Sequence, residues 1–119
     1  MLKAFFPAII WSIVILALSA GPGIQLPSGF WDEISWDKAG HFGAYVVLVF
    51  LLLWGFYRIG WHHPLPAILL AILFGLSMEV LQLTFFPYRH FEWADLLANI
   101  LGAITGYGVF RRLIYHLNF

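Results

Sequence analysis

At 119 residues, 62% hydrophobic and only 10% charged, the chain is a single domain too apolar for a soluble protein of its size. Six Lys and Arg against six Asp and Glu leave no net charge and so no basic field for nucleic acid, while the absence of cysteine excludes disulfides and thiolate metal sites. The composition is that of an integral membrane protein, and the apolar runs predict an all-α, four-helix transmembrane bundle.

The first predicted helix covers about residues 4–20 and rises ~25 Å, slightly short of the roughly 30 Å hydrocarbon core. Lys3 before it and Ser19, Ala20 and Gly21 after it give the outline of a signal peptide. The run is longer than a usual signal core, however, and is expected to stay as a membrane span. Pro7 falls in the opening turn, where the missing N–H costs nothing, and Gly21-Pro22-Gly23 ends the helix. Residues 24–35 read as a loop on the membrane surface, with Phe30, Trp31 and Trp36 as aromatics of the interface type.

The second helix is predicted over about 36–57, with Ser35 as N-cap, Asp37 in the first turn against the helix dipole, and Trp54 and Tyr57 at the far interface. A short connection, 58–63, leads to a third helix over 64–85 that Pro64 can open and Pro87 stops. The fourth covers about 92–115. Short loops impose up-down-up-down order, and Lys3, Arg58, Arg111 and Arg112 on one side outweigh Lys38 and Arg89 on the other. That bias puts both termini in the cytoplasm.

The polar residues fall on this frame in stripes. Asp37, His41 and Tyr45 repeat at i, i+4, i+8; Gly75, Glu79 and Gln82 at i, i+4, i+7; Asp95, Asn99, Gly102 and Gly106 at i, i+4, i+7, i+11. With the predicted topology His41, Glu79 and Asn99 all lie ~8 to 10 Å below the outer end of the bundle. Ionisable groups cost a few kcal/mol each in hydrocarbon, so the stripes are expected to face one another around a cavity open to the outer leaflet. The Gly102/Gly106 pair would let the fourth helix pack closely, and Arg89 would reach down from the loop above.

The blocks D-K-x-x-H-F-x-x-Y, E-x-x-Q and R-x(5)-D-x-x-x-N-x-x-G, carried by Asp37, Lys38, His41, Phe42, Tyr45, Glu79, Gln82, Arg89, Asp95, Asn99 and Gly102, resemble the VanZ-like family of small bacterial integral membrane proteins. The resemblance spans roughly residues 35–108. A member of that family is associated with low-level resistance to the glycopeptide teicoplanin, so the resemblance implies a role in the bacterial envelope without supplying a reaction.

Each feature has a structural and a functional reading. Asp37 and Lys38 either cap and anchor a helix or bind substrate, and His41 is either interhelical glue or a proton carrier set by its acidic neighbours. Glu79 is the deepest acid, and needs either a standing partner or a working role. The leading reading is a membrane enzyme or lipid-modifying factor of the bacterial inner membrane acting on an outer-leaflet lipid or lipid-linked cell-wall precursor. Its candidate catalytic residues are His41, Glu79 and Asp95, with Asp37, Lys38, Tyr45, Gln82, Arg89 and Asn99 as substrate-binding residues. The alternatives are a non-enzymatic protein that shields a lipid or a glycopeptide target, and a proton-coupled lipid transporter, which with four helices would need a dimer. One histidine among carboxylates suits a hard divalent cation, but the paired histidines of zinc hydrolases are missing. No metal is therefore assigned, no cofactor is identified, and homo-oligomerisation is left open. Ser12, Ser19 and Ser77 have no triad partners, so no serine nucleophile is expected.

Overall fold

The computed structural model describes residues 2–20, 30–85 and 93–114, with side chains at 2–17, 39–81, 84 and 93–114. Among these residues all regular structure is helical. A 3₁₀ turn, Leu2–Phe5, leads into α1 (Phe6–Ala20), followed by α2 (Phe30–Arg58), α3 (Leu65–Phe85) and α4 (Trp93–Leu113).

α3 and α4 lie within two residues of their predicted bounds, and two boundaries are corrected. The start of α1 is a tighter turn that leaves the α-helix to begin one residue before Pro7. α2 begins at Phe30, well ahead of the expected Trp36, so Ser35 is an interior residue and not an N-cap. The chain explains why: the last breaker of the predicted loop is Gly29. With 29 residues α2 rises ~43 Å and accounts for the 45 Å long axis of the molecule.

The end of α2 is built by Gly60. Its φ of 83° is left-handed, Trp61 N–H donates to the Phe56 carbonyl at 2.9 Å, and Gly60 N–H donates to that of Tyr57 at 3.1 Å. This is the Schellman arrangement, which satisfies carbonyls that a helix terminus leaves open. α3 then starts with the Pro64 carbonyl accepting from Ile68 N–H, so neither Pro64 nor Pro66 forfeits a helical hydrogen bond.

Contacts along the helices set their directions. α2 and α4 form the most extensive helix pair and run parallel, because Phe42 meets Gly102, Val46 meets Gly106, and Phe50 stacks edge-on against Phe110 in step. α3 runs opposite to them, with Gly75 against Tyr45 and Asn99. α1 also opposes α2: Phe5 packs on Phe56 with ring centroids 4.9 Å apart, while Trp11 reaches back to Ala44. Trp11 is half-buried, and its indole N–H donates to the Ala44 carbonyl at 2.8 Å.

The core joins Tyr45, Leu48, Val49 and Leu53 of α2 to Ala67 and Ala71 of α3, to Ala103 and Phe110 of α4, and to Ile114 just beyond it. Small residues on α3 and α4 let the backbones approach, as in membrane bundles, where hydrophobicity alone does not hold helices together. Burial is inverted relative to a soluble protein: Leu73 is 58% exposed and Ile104 53%, whereas Glu79 and Asn99 are each 1% exposed. Ala39–Arg58 and Trp93–Leu113 are long and apolar enough to cross a membrane, and Leu2–Ala17 and Leu65–Leu81 are shorter apolar stretches.

Candidate functional site

The polar stripes of α2, α3 and α4 converge. His41 and Tyr45 lie one turn apart on α2, Gly75 and Glu79 one turn apart on α3, and Asp95 and Asn99 one turn apart on α4. Convergence depends on glycine at three contacts. A Cβ on Gly102 would clash with the Phe42 carbonyl, and one on Gly106 would stand 2.6 Å from the Val46 carbonyl, so α4 lies directly against the α2 backbone. A Cβ on Gly75 would come within 3.0 Å of the Asn99 amide and 3.1 Å of the Tyr45 ring, so α3 can bring Glu79 up to the other two helices. The sequence stripe held Gly75, Gly102 and Gly106, but no pattern in it told which atoms they admit.

His41 is the centre of the cluster. Its Nδ1 lies 3.1 Å from Asn99 Oδ1, and its Nε2 lies 3.6 Å from Asp95 Oδ2. A carbonyl oxygen only accepts, so the Asn99 contact assigns the Nδ1 proton to the histidine and turns Nε2 toward the acid. One ligand-type atom from each of His41, Glu79 and Asp95 lies within 4.8 Å of the other two, which makes these three, among the described residues, a group that could hold a metal ion. Tyr45, 2% exposed, lies in the field of the Glu79 carboxyl, and its hydroxyl has no hydrogen-bond partner among the described residues. Two carboxylates this close and this buried require a compensating positive charge, whether a proton, a basic side chain or a cation.

Of the residues singled out in the sequence, His41, Tyr45, Glu79, Asp95 and Asn99 share this one cluster. The side chains of Asp37, Lys38 and Gln82 lie outside the described set, as does Arg89 altogether. Asp95 stands in the first turn of α4, where the helix dipole favours its charge. His62 and His63 are exposed on the α2–α3 connection, beside Tyr57 and Trp61, and take no part. Ser12 and Ser77 donate to the carbonyls of Ala8 and Leu73 at 2.8 Å, the usual local bond of a helical hydroxyl. An apolar groove of about 300 Å³ runs between α1 and α3, lined by Phe5, Ala8, Ile9, Ser12, Leu52 and Phe74 among others. Among the described residues its lining holds no titratable group.

The arrangement offers an imidazole with a fixed proton, two buried acids, an amide and a phenol within one small volume in an apolar bundle. That set can move a proton, hold an anionic or hydroxylated headgroup, or coordinate a cation. Neither the curated proteins nor the solved structures contain a match to this chain. A family model described as VanZ/LLP1 matches residues 4–115, and by that match the chain belongs to the VanZ/LLP1 family.

Proposed function

We propose that this chain is a multi-pass protein of the bacterial inner membrane, with both termini cytoplasmic, whose polar cluster opens to the outer leaflet. There it binds and acts on the headgroup of an outer-leaflet lipid or a lipid-linked cell-wall precursor. His41, with Glu79 or Asp95, supplies the acid and base, Asn99 and Tyr45 orient the headgroup, and Lys38 and Arg89 take an anionic group. Asp37 and Gln82, one turn nearer the mouth, complete the lining. A change in the precursor pool is also a route to the glycopeptide resistance associated with the family.

The observation that carries this reading is His41, held between Asn99 and Asp95 with Glu79 in reach, in a bundle whose outside is leucine and isoleucine. Buried ionisable groups in such a setting are costly and by default functional. The orientation is supported by charge placement. The turn after Lys3 packs on the C-terminal half of α2, and α2 and α4 are parallel, so Lys3, Arg58, Arg111 and Arg112 gather at the end opposite the cluster.

The test compares the envelope lipids and lipid-linked precursors of cells producing the parent chain or His41→Ala at equal membrane levels. A lipid species that changes with the parent and returns to the background level in the variant is the expected result. Identical profiles for parent, variant and empty membrane would sink the reading. Retention of one lipid per chain with no altered product would instead favour the shielding protein, a reading that the uncharged pair Tyr45 and Asn99 also suits.

A further inference from the structure

We infer that His41, Glu79 and Asp95 together bind one divalent cation of the Mn²⁺ or Zn²⁺ class. Their donor atoms come from three helices and lie within 4.8 Å of one another, and the two acids are buried in an apolar bundle. The separation of His41 Nε2 from Asp95 Oδ2, 3.6 Å, is too long for a direct hydrogen bond. Two donors that share one cation at about 2.1 Å stand ~3.0 to 3.4 Å apart. The pair is therefore within a few tenths of an ångström of a common coordination sphere, and a carboxylate oxygen of Glu79 lies within 4.8 Å of a donor atom on each.

Two further features of the cluster point to a ligand. The first is the proton on Nδ1. Histidines that bind metals hand their second ring N–H to a fixed acceptor, which orients the ring and turns the other nitrogen toward the metal. Asn99 Oδ1 is that acceptor here, at 3.1 Å. The second is Tyr45, buried and with no hydrogen-bond partner for its hydroxyl among the described residues, one helical turn from His41 and in the field of Glu79. A cation-bound water or an incoming oxygen ligand would give that hydroxyl its partner.

The donor set narrows the ion. Carboxylate oxygens alone suit Mg²⁺ or Ca²⁺, and thiolates would select softer metals, but the chain has no cysteine. One imidazole with two carboxylates falls between, in the range of Mn²⁺ and Zn²⁺. This deepens the lipid-site reading and rests on it only for what the cation would hold, an anionic headgroup oxygen. Cation binding itself needs no lipid ligand.

The experiment is titration of Mn²⁺ into the full chain in phosphatidylcholine nanodiscs, read by electron paramagnetic resonance, with Zn²⁺ as competitor. One Mn²⁺ per chain is expected, displaced by one equivalent of Zn²⁺ and showing nitrogen coupling from an imidazole. That coupling persists in the double variant His62→Ala, His63→Ala and vanishes in His41→Ala. Affinity falls at least about tenfold in Glu79→Gln and Asp95→Asn, and about ten- to hundredfold in Asn99→Ala, which removes the partner that orients the ring. Absence of stoichiometric binding, loss of binding with the His62/His63 pair, or undiminished affinity in Glu79→Gln would overturn the inference and leave an imidazolium–carboxylate pair in its place. If the single variants do not fold, bound Mn²⁺ without nitrogen coupling in the parent overturns it equally. A lipid profile that depends on His41 in a chain that binds no cation removes the cation site and keeps the lipid reading. Bound Mn²⁺ with an unchanged lipid profile does the reverse.

Discussion

Nδ1 of His41 and Oδ1 of Asn99 lie 3.1 Å apart and join α2 to α4 at the head of the bundle. Each residue has a second role: His41 faces Asp95, and the Asn99 amide fills the space left by Gly75. Interhelical hydrogen bonds in bilayers contribute ~0.6 kcal/mol on average and rarely more than about 2 kcal/mol. Asn99→Ala is therefore expected to cost about 1 to 2 kcal/mol, the bond plus the lost packing on Gly75. Thermal unfolding in a bilayer mimic measures it, and an unchanged midpoint would mean that the contact carries no load.

Two pairs of glycines have opposite predicted responses. Gly102→Ala and Gly106→Ala press a methyl group into the backbone of α2, a form of overpacking that costs ~1 to 3 kcal/mol and outweighs the gain in helix propensity of about 1 kcal/mol. Gly40 and Gly43 have no atom within 4 Å of the added carbon, so Gly40→Ala and Gly43→Ala collect the propensity gain alone. The first pair should lower the unfolding midpoint and the second raise it. Equal effects in both pairs would contradict the close α2–α4 contact.

Spacing made much of this legible in advance. The repeats of His41 and Tyr45, and of Asp95, Asn99, Gly102 and Gly106, each mark one helix face, and buried residues of those helices fall on these faces because ionisable and small residues have nowhere else to go in an apolar bundle. The start of α2 was not legible, because a stretch rich in aromatic and acidic residues after Pro27, Ser28 and Gly29 resembles an interfacial loop as closely as a helical first turn. The contact of Trp11 was not legible either. Composition treats tryptophan as interfacial bulk, whereas its bond to the Ala44 carbonyl depends on where α1 crosses α2, which no local pattern encodes. The donor geometry of His41, Glu79 and Asp95 was equally hidden, since ligand spacing across three helices leaves no motif of the paired-histidine kind.

Glu79→Gln separates a structural from a working carboxyl. Glu79 is 1% exposed, and an amide of the same shape keeps its volume while removing the desolvation cost of a charge. The expected result is a midpoint unchanged or raised, together with loss of the lipid effect, as for a group retained for function at some expense of stability. A fall of many degrees would instead assign Glu79 to holding the bundle together.

The absence of cysteine allows a direct test of orientation with single introduced thiols. The C-terminal ends of α2 and α4 lie at one end of the bundle because the two helices are parallel, so Arg58→Cys and Arg111→Cys must report the same side whichever way the protein inserts. In the proposed orientation that side is cytoplasmic, and Arg89→Cys is then expected to react with an impermeant reagent from outside. Protection of Arg89→Cys and external labelling of Arg58→Cys would leave the cluster geometry intact but turn its mouth to the cytoplasm. The substrate would then have to be a lipid or precursor of the inner leaflet, before export, and a shield against an external glycopeptide would be excluded. Labelling of Arg58→Cys and Arg111→Cys from opposite sides would be the more serious outcome, because no insertion of a bundle with α2 parallel to α4 can produce it.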